Sequence, residues 1–539
     1  MAFDLYTVQI PFYGVLFLVG QYVIYPAFFA RLSSIPPAHP LAAFTPLWIL
    51  WIRYIGRENR TIQAAHAAHG PVVRLAPSEI SVNSVEGGIR TVYGAGFGKH
   101  EWYLIFRNFG VSNAFSTLES KAHSLAKRRI THVYSKSYLL TPESGFSHNS
   151  HTIIHDRLLP ILSRAASTQE SVNILEIFFS TAMDFITGYQ FGLPSSSNFL
   201  QNLEERRHWL YIYHCRKPYG FWGLHVSRLQ GMLKRVGIRV VPDFVADANQ
   251  GMEDYVLAMV KRAEERVEGG FVGDDSSEAM VYRSIRRTME KEDEKRVTGD
   301  VPNADGRRLE IASELMDELA AGHETAAIAL TFLTYRLCMN SAVQSRLYAE
   351  LASAPRTSDS TSFDLKALDD LPFLNACILE TLRTNAPIPG PQPRTPLTPS
   401  HINLGNRTIV IPPGTRVSAQ AYSLHRNPDV FPNPECWIPE RWLVDKNADI
   451  VEEEERLKEM HRWFWAFGSG GRMCFGSNFA LLVLMETTEM KMLVATIWSH
   501  FRTELPNAHD KGSTFGLEQE DGYTVGPVGG KLEVQFVKL

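Results

Sequence analysis

Cys474 is the residue whose neighbours most narrowly define a chemistry in this 539-residue chain. It lies in Phe467-Gly468-Ser469-Gly470-Gly471-Arg472-Met473-Cys474-Phe475-Gly476, which fits F-x-x-G-x-R-x-C-x-G at each fixed position. Glycines let backbone approach a flat ligand and aim amide N–H groups at a sulfur, while Arg472 supplies a cation for an anionic group. Such a loop suits a haem iron held by the Cys474 thiolate, a ligand that pushes electron density onto iron and favours O–O cleavage. A helix beginning near Ser477 would point its positive end at the same sulfur. A buried structural cysteine would not account for Phe467, Gly470, Arg472 and Gly476 together. The spacing is not that of a G-x-S-x-G nucleophile elbow, and no Lys and Ser/Thr follow the glycines as in a phosphate loop.

With these residues in place, the chain resembles the cytochrome P-450 superfamily of haem-thiolate monooxygenases from about Gly70 to the C-terminus. Four further segments occur in that family's order. Ala321-Gly322-His323-Glu324-Thr325-Ala326 is similar to the oxygen-activating segment, in which small residues leave room for dioxygen and an acid beside a hydroxyl relays protons. The resemblance assigns that role to Glu324 and Thr325; Ala326 departs from the usual second hydroxyl. His323-Glu324 also begins H-E-x-x-H, but Ala327 at the fifth position removes the zinc reading. Glu380-x-x-Arg383, with Pro439-Glu440-Arg441-Trp442 downstream, implies a buried network of Glu380, Arg383 and Arg441 that fixes structure more than it stabilises. Pro391-Gln392-Pro393-Arg394 and His123-x-x-x-Lys127-Arg128 stand where the family holds haem propionates, with Lys127 and Arg128 competing for one role; a solvated charge is the ordinary alternative for each.

These residues need elements to hold them, and the pattern is mainly α with a minor β part, as the P-450 fold implies: haem between a long central helix and the cysteine loop. A helical run is expected from about Leu309 to Leu351, another over Leu371 to Thr384 that the following prolines end, and a last one from about Asn478 to Phe501. Val72 to Leu75, Ile80 to Val82 and Thr408 to Ile411 read as strands, Lys121 to Ser135 as helix, and Val267 to Arg308 as a charged surface loop around a short helix. Trp102, Phe106, Trp209, Phe221, Trp222 and Ile388 are candidates for an apolar pocket, with plain core packing the alternative for each of the aromatics.

At the other end, Leu5 to Ala30 contains no charged residue; as a helix it would run about 39 Å, enough to cross a hydrocarbon core of about 30 Å. It is too long for a signal peptide, and no Lys or Arg precedes it. The expected organisation is an anchor over residues 1–30, a Pro-rich hinge and membrane-proximal segment over 31–60, and a catalytic domain over 61–539. Phe44 to Ile55 is too short to span and is expected at the membrane surface. Arg31, Arg53, Arg57 and Arg60 follow the span while only Asp4 precedes it, which puts the large part in the cytoplasm. The sequons at Asn59 and Asn406 would then stay bare.

Lys plus Arg number 54 and Asp plus Glu 58, so no global positive field exists to hold nucleic acid. Five widely spaced cysteines without C-x-x-C exclude a disulfide scaffold and a zinc knuckle and fit a reducing compartment. No G-x-G-x-x-G dinucleotide site is present. The resemblance implies haem b, and NADPH as electron source through a separate reductase, with cytochrome b5 as a further partner. It implies insertion of one atom of O2 into an apolar small molecule at the endoplasmic-reticulum membrane. Gly70 to Pro77, with the anchor and prolines, is similar to members from filamentous fungi that tailor terpenoids, polyketides or alkaloids. A basic face near Lys458, Arg462 and Arg472 is a candidate for docking the reductase. Two other functions fit a haem protein of this kind: a reductase-independent isomerase or dehydratase, against which Glu324 and Thr325 argue, and a membrane haem protein that binds lipid or steroid without turnover.

Overall fold

The computed structural model describes residues 12–94, 96–269, 278–295, 303–356, 363–404, 407–475, 488–506 and 517–539. Gly476, Asn406, the first residues of the apolar N-terminus and the start of the helix expected near Ser477 lie outside them. The architecture is mainly helical with a minor sheet part. The helices that bear on the site are α1 (Ser120–Ile130), α2 (Ile174–Phe191), α3 (Leu203–His214), α4 (Ala304–Met339), α5 (Ser341–Ala352), α6 (Pro372–Thr384), α7 (Ile450–Trp463) and α8 (Thr488–His500).

The organising element is α4. Asn303 caps it by accepting from the Gly306 N–H at 2.8 Å, and its 36 residues give a rod of roughly 54 Å. Ile311 to Leu337 is almost continuously buried, much of it against α2, whose residues are themselves nearly all buried. A helix apolar on all sides is a core helix, and these two form the centre of the main hydrophobic cluster. The single run expected over Leu309 to Leu351 is two helices bent by 111°. Asn340 leaves helical geometry at φ −134°, ψ 87°, and its side chain accepts from Val343 N–H to start α5. The stretch read as a loop around a short helix carries a helix over Met280–Glu294, and neighbouring helices reach in to Glu268 and out from Ala304.

The strands are β1 (Val72–Ala76), β2 (Glu79–Val82), β3 (Gly98–Lys99), β4 (Val172–Asn173), β5 (Arg394–Thr395), β6 (Ser400–Leu404), β7 (Arg407–Ile411), β8 (Arg416–Ser418), β9 (Phe501–Glu504) and β10 (Glu533–Lys538). They form a sheet in the order β1-β2-β8-β5-β3, a second in the order β4-β10-β9, and the β6–β7 hairpin. The first sheet matters most here, because antiparallel pairing of β3 and β5 sets Lys99 directly opposite Arg394.

Residues 12–28 form a helix, part of it wound as a π-helix, with Phe12, Tyr13, Leu16, Phe17 and Tyr22 exposed. The segment after it is docked: Leu32 and Ile35 pack with Ile402, Ile409 and Ile411, and Ile49 with Val73 and Leu75. Asn59 is 1 % exposed and donates to Gly522 O at 2.8 Å, which removes it as a glycan acceptor in the folded chain. Trp209, expected near a ligand pocket, is instead core, packed on Tyr255 with ring centroids 5.0 Å apart.

At the C-terminal end of α6 one carboxylate organises three chain segments. Glu380 Oε1 accepts from Arg383 Nη2 (2.8 Å), Arg441 Nε (2.9 Å) and Ile438 N (2.9 Å), and Oε2 from Arg383 Nε (2.8 Å) and Trp442 Nε1 (2.9 Å). Glu380 and Arg383 are both fully buried. The remaining guanidinium hydrogens of Arg383 reach Pro434 O, Cys436 O and His425 O. Removing the carboxylate leaves two cations without a counter-charge. Glu380→Ala is expected to cost about 3–5 kcal/mol, read as a lower thermal unfolding midpoint of the detergent-solubilised protein, whereas Lys458→Ala, at an exposed pair with Glu455, leaves it nearly unchanged.

Candidate active site

The cysteine loop is fixed by backbone contacts that its glycines permit. Cys474 N–H donates to Phe467 O at 3.1 Å and Gly468 N–H to Trp465 O at 3.1 Å, closing a tight turn in which Gly468 (φ 69°) and Gly470 (φ 72°) are left-handed. A Cβ at Gly470 would stand 2.3 Å from Tyr93 O, so glycine is required there by a neighbouring chain as well as by φ. Trp465 anchors the loop's start: its ring packs edge-on against Tyr93 at 4.7 Å and its Nε1 donates to Ser469 Oγ at 2.9 Å. Its backbone N–H donates to His425 Nε2 at 2.8 Å, while His425 Nδ1 lies 3.0 Å from Arg383 O. His425 therefore joins the Glu380 network to the Cys474 loop, and no motif in the sequence marks it.

Basic side chains converge beside this loop. Arg394, 6 % exposed, donates to Tyr103 Oη at 2.9 Å and lies over the rings of Tyr93 and Tyr103. Arg472 donates to Thr117 O and Leu118 O, at 2.7 and 3.0 Å. Lys99 donates to Phe115 O and sits 4.1 Å from the ring centroids of Tyr103 and Phe115. His123 is buried and stacks on Phe475 at 5.9 Å; Lys127 reaches Gly471 O at 3.4 Å, whereas Arg128 bends back to its own helix at Ser124 O. Of Lys127 and Arg128, Lys127 is the one that touches the loop.

Among the described residues, none of Lys99, Arg394 and Arg472 forms an ion pair with a carboxylate. Burial, then Arg394 and Arg472, push the Lys99 ammonium far below its usual range. Burial and Arg394 pull Arg472 down to about 10, and burial with Arg472 and Lys99 pushes His123 down to about 3. Like charges directly opposite across two strands are destabilising, so Lys99 facing Arg394 is a position built for an anion. Trp102 Nε1 is a further buried donor without a partner. Lys99 lay outside every sequence motif; only its cross-strand partner reveals it.

The central helix carries a further set of accessible residues. Ala321 is exposed and Gly322 and Thr325 are half-exposed in the middle of an otherwise buried helix, which marks an interior space rather than a protein surface. Cys474 is likewise exposed although its loop is internal to the fold. A flat group bearing carboxylates would find a sulfur ligand in Cys474, cations for its acidic edge in Lys99, Arg394 and Arg472, and small residues on the central helix. Haem fits this set of residues.

Glu324 and Thr325 diverge. Thr325 Oγ1 donates to Ala321 O at 2.8 Å, while both carboxylate oxygens of Glu324 are engaged from the other side, Oε2 by Tyr213 and Oε1 by Lys217. Burial pushes the Glu324 carboxyl up, but Lys217 and the Tyr213 hydroxyl outweigh it and hold it below the usual carboxylate range. Glu324 is 4 % exposed and the Lys217 side chain 42 %, so the pair links the interior to solvent. Tyr213 and Lys217 were invisible in the sequence, being more than 100 positions away. Trp102 and Phe106 gather with Tyr103, Phe115 and Tyr523 into one aromatic cluster, and Phe221 packs on Tyr54. The basic face expected near Lys458, Arg462 and Arg472 does not form: Lys458 pairs with Glu455, Arg462 with Glu459 and Glu86, and Arg472 turns inward.

His425 must stay neutral, since its Nε2 accepts a hydrogen bond. Burial, then Arg383, push it down to about 3, against about 6.5 in an unfolded chain. Only the unfolded chain binds the proton between these values, so stability is lost as pH falls from about 6.5 toward 3, by about 1.4 kcal/mol per unit. The unfolding midpoint is expected to drop across pH 6.5 to 4, and to drop less steeply in His425→Gln; equal slopes would contradict the role assigned to His425.

Comparison with known proteins agrees with this geometry. The family model described as cytochrome P-450 matches residues 149–534. The chain is 27 % identical over 496 residues to cytochrome P-450 monooxygenase BOT1 of Botryotinia fuckeliana, covering 89 % of this chain and 85 % of that protein. It is 27 % identical to cytochrome P-450 monooxygenase sdnE of Sordaria araneosa, covering 91 % and 90 %, and 26 % identical to a fusicoccadiene C-8 hydroxylase of Phomopsis amygdali, covering 92 % and 93 %. A cysteine loop, a cation-lined edge and a small-residue helix, on a chain whose greater part matches one family model, lead to a single assignment: the chain belongs to the cytochrome P-450 family.

Proposed function

We propose that the protein is a membrane-anchored monooxygenase that inserts one atom of O2 into an apolar small molecule, a terpenoid, polyketide or alkaloid intermediate of secondary metabolism, with reducing equivalents from NADPH through a separate reductase. The observation that carries the reading is the set of cations without an ion-pair partner among the described residues, buried Lys99 and Arg394 and half-buried Arg472, beside the Cys474 loop. Bound haem b, ligated by the Cys474 thiolate, supplies the activation of dioxygen.

The chain's own residues supply the rest. Lys99, Arg394 and Arg472 hold the acidic edge of the cofactor, with Trp102 Nε1 as a further donor. Ala321 keeps the helix thin where a small molecule must fit, while Gly322 lets the helix pack closely on α2, a Cβ there lying 3.3 Å from Ile186. Thr325 offers a hydroxyl to that space. Glu324 carries protons inward, and Lys217, half in solvent, sets its charge and opens it to water. Trp102, Phe106, Phe115 and Tyr523 form the apolar wall against which a hydrocarbon skeleton packs. The named relatives, monooxygenases and a hydroxylase of fungi, favour this substrate class.

An open hollow of about 540 Å3, lined by His123, Lys127, Arg128, His132 and Gly471, lies on the outer side of the cysteine loop. Its basic rim suits an acidic reductase or cytochrome b5. Residues 12–28 anchor the chain in the endoplasmic-reticulum membrane with the catalytic part in the cytoplasm, and the exposed Leu47, Trp51 and Tyr54 rest on the membrane surface.

Cys474→Ala is expected to abolish substrate-dependent NADPH consumption in reductase-supplemented membranes while leaving the protein in the membrane pellet; full turnover in this variant would overturn the reading. Glu324→Gln is expected to lower product formation by on the order of 10²-fold. Lys217→Met leaves Glu324 buried without its cation, so its pKa rises and the pH profile of product formation moves upward. A profile that stays in place would separate Lys217 from proton delivery.

A further inference from the structure

The apolar N-terminal helix ends beside a groove of about 560 Å3, and one wall of that groove carries Arg31 and Ser34. The facing wall is the β6–β7 hairpin, with His401, Thr408 and Val410. Arg407, which opens β7, bridges the walls by donating to Ser34 O. Arg31, His401 and Thr408 are exposed.

The charge around this groove is one-sided. Neither Leu5 to Arg57 nor Thr381 to Pro428, the two stretches that supply its walls, contains a single Asp or Glu. Among the described residues, no carboxylate pairs with Arg31 or Arg407. The element packed against the hairpin, Val85–Gly94, does bring Glu86, but Glu86 is held by Arg90 and Arg462. Arg31 thus lines the groove without a counter-charge, Arg407 stands at its edge through Ser34 O, the Ser34 and Thr408 hydroxyls donate to Arg31 O and Asn403 Oδ1, and Val410 gives an aliphatic flank.

Position identifies the ligand. Resting on the reading of residues 12–28 as a membrane anchor, Arg31 stands three residues past the last turn of the span, where headgroups lie. We propose that the groove binds the phosphate of an anionic glycerophospholipid headgroup, and that this contact clamps the β6–β7 hairpin to the bilayer and fixes how the catalytic part sits on it. Arg31 and Arg407 take the phosphate oxygens, and Val410 borders the glycerol. Bound phosphate also ties the hairpin to the segment after the anchor, strengthening the Arg407–Ser34 link.

The test uses the full-length holoprotein, first in phosphatidylcholine vesicles washed with alkaline carbonate, then in nanodiscs of equal phosphatidylcholine and phosphatidylserine. Lipid retained after detergent dilution is counted by native mass spectrometry. Each basic side chain near an anionic surface contributes about a fivefold preference. Wild-type protein is expected to retain phosphatidylserine over phosphatidylcholine; Arg31→Gln, which breaks no hydrogen bond, reduces that preference about fivefold, and Arg31→Gln with Arg407→Gln about 30-fold. Equal retention of the two lipids by wild type, or an unchanged preference in Arg31→Gln, overturns the groove while leaving the anchor standing. Release of the lipid by millimolar inorganic phosphate overturns it too, making the groove a simple ion site. Loss of the protein from the carbonate-washed vesicles overturns the anchor, and the groove with it.

Discussion

The buried carboxylate of Glu380 is the constraint on which the site depends. Five donors from α6 and the 434–442 segment converge on it, and it has no water to turn to. A buried ion pair of this kind adds little net stability, because desolvation offsets the attraction, but it admits one arrangement of its partners. Arg383, held in that arrangement, presents its guanidinium to the His425 carbonyl and its own carbonyl to the His425 ring. The ring then accepts from Trp465, at the start of the cysteine loop. A chain of directed hydrogen bonds thus runs from the core of the fold to Trp465, where the loop that carries Cys474 begins.

A second consequence is electrostatic. Sheet pairing puts Lys99 opposite Arg394, and the loop brings Arg472 to the same place, so the chain alone stores repulsion in a region nearly closed to solvent. Binding an anionic group there relieves it. Fold and ligand would then be coupled, since a carboxylate-bearing group bound there would remove a penalty that the chain alone carries. On the central helix, Lys217 and Tyr213 give the buried charge of Glu324 its partners at the point where the interior meets solvent.

Much of this was legible in the sequence, and the reasons differ by residue. The Cys474 loop could be read because its backbone approach demands glycine at fixed spacing: Gly470 admits no Cβ against Tyr93. Glu380 and Arg383 sit one helical turn apart, so their pairing is local. The break at Asn340 was missed, since an apolar pattern continues across it and only the cap marks the change of direction. Lys99, His425, Tyr213 and Lys217 act through contacts separated by 40 to 300 positions, and no local spacing encodes those. Trp209 stayed open between pocket and core because an aromatic in a variable stretch looks the same whether it lines a cavity or fills the core; its burial decides for core. The basic docking face failed for a related reason: Lys458 and Arg462 lie within three residues of acids on one helix, and local pairing consumed them.

The central claim is that Cys474 reaches the haem iron as a thiolate, held there by the Glu380–Arg383–His425–Trp465 chain. The most direct measurement is the reduced carbon monoxide difference spectrum of membranes containing the wild-type protein, which reports the axial ligand itself. The account predicts a strongly red-shifted Soret band, the signature of thiolate ligation. A band at the position of a neutral ligand, or none at all in protein that is folded and membrane-bound, would contradict it.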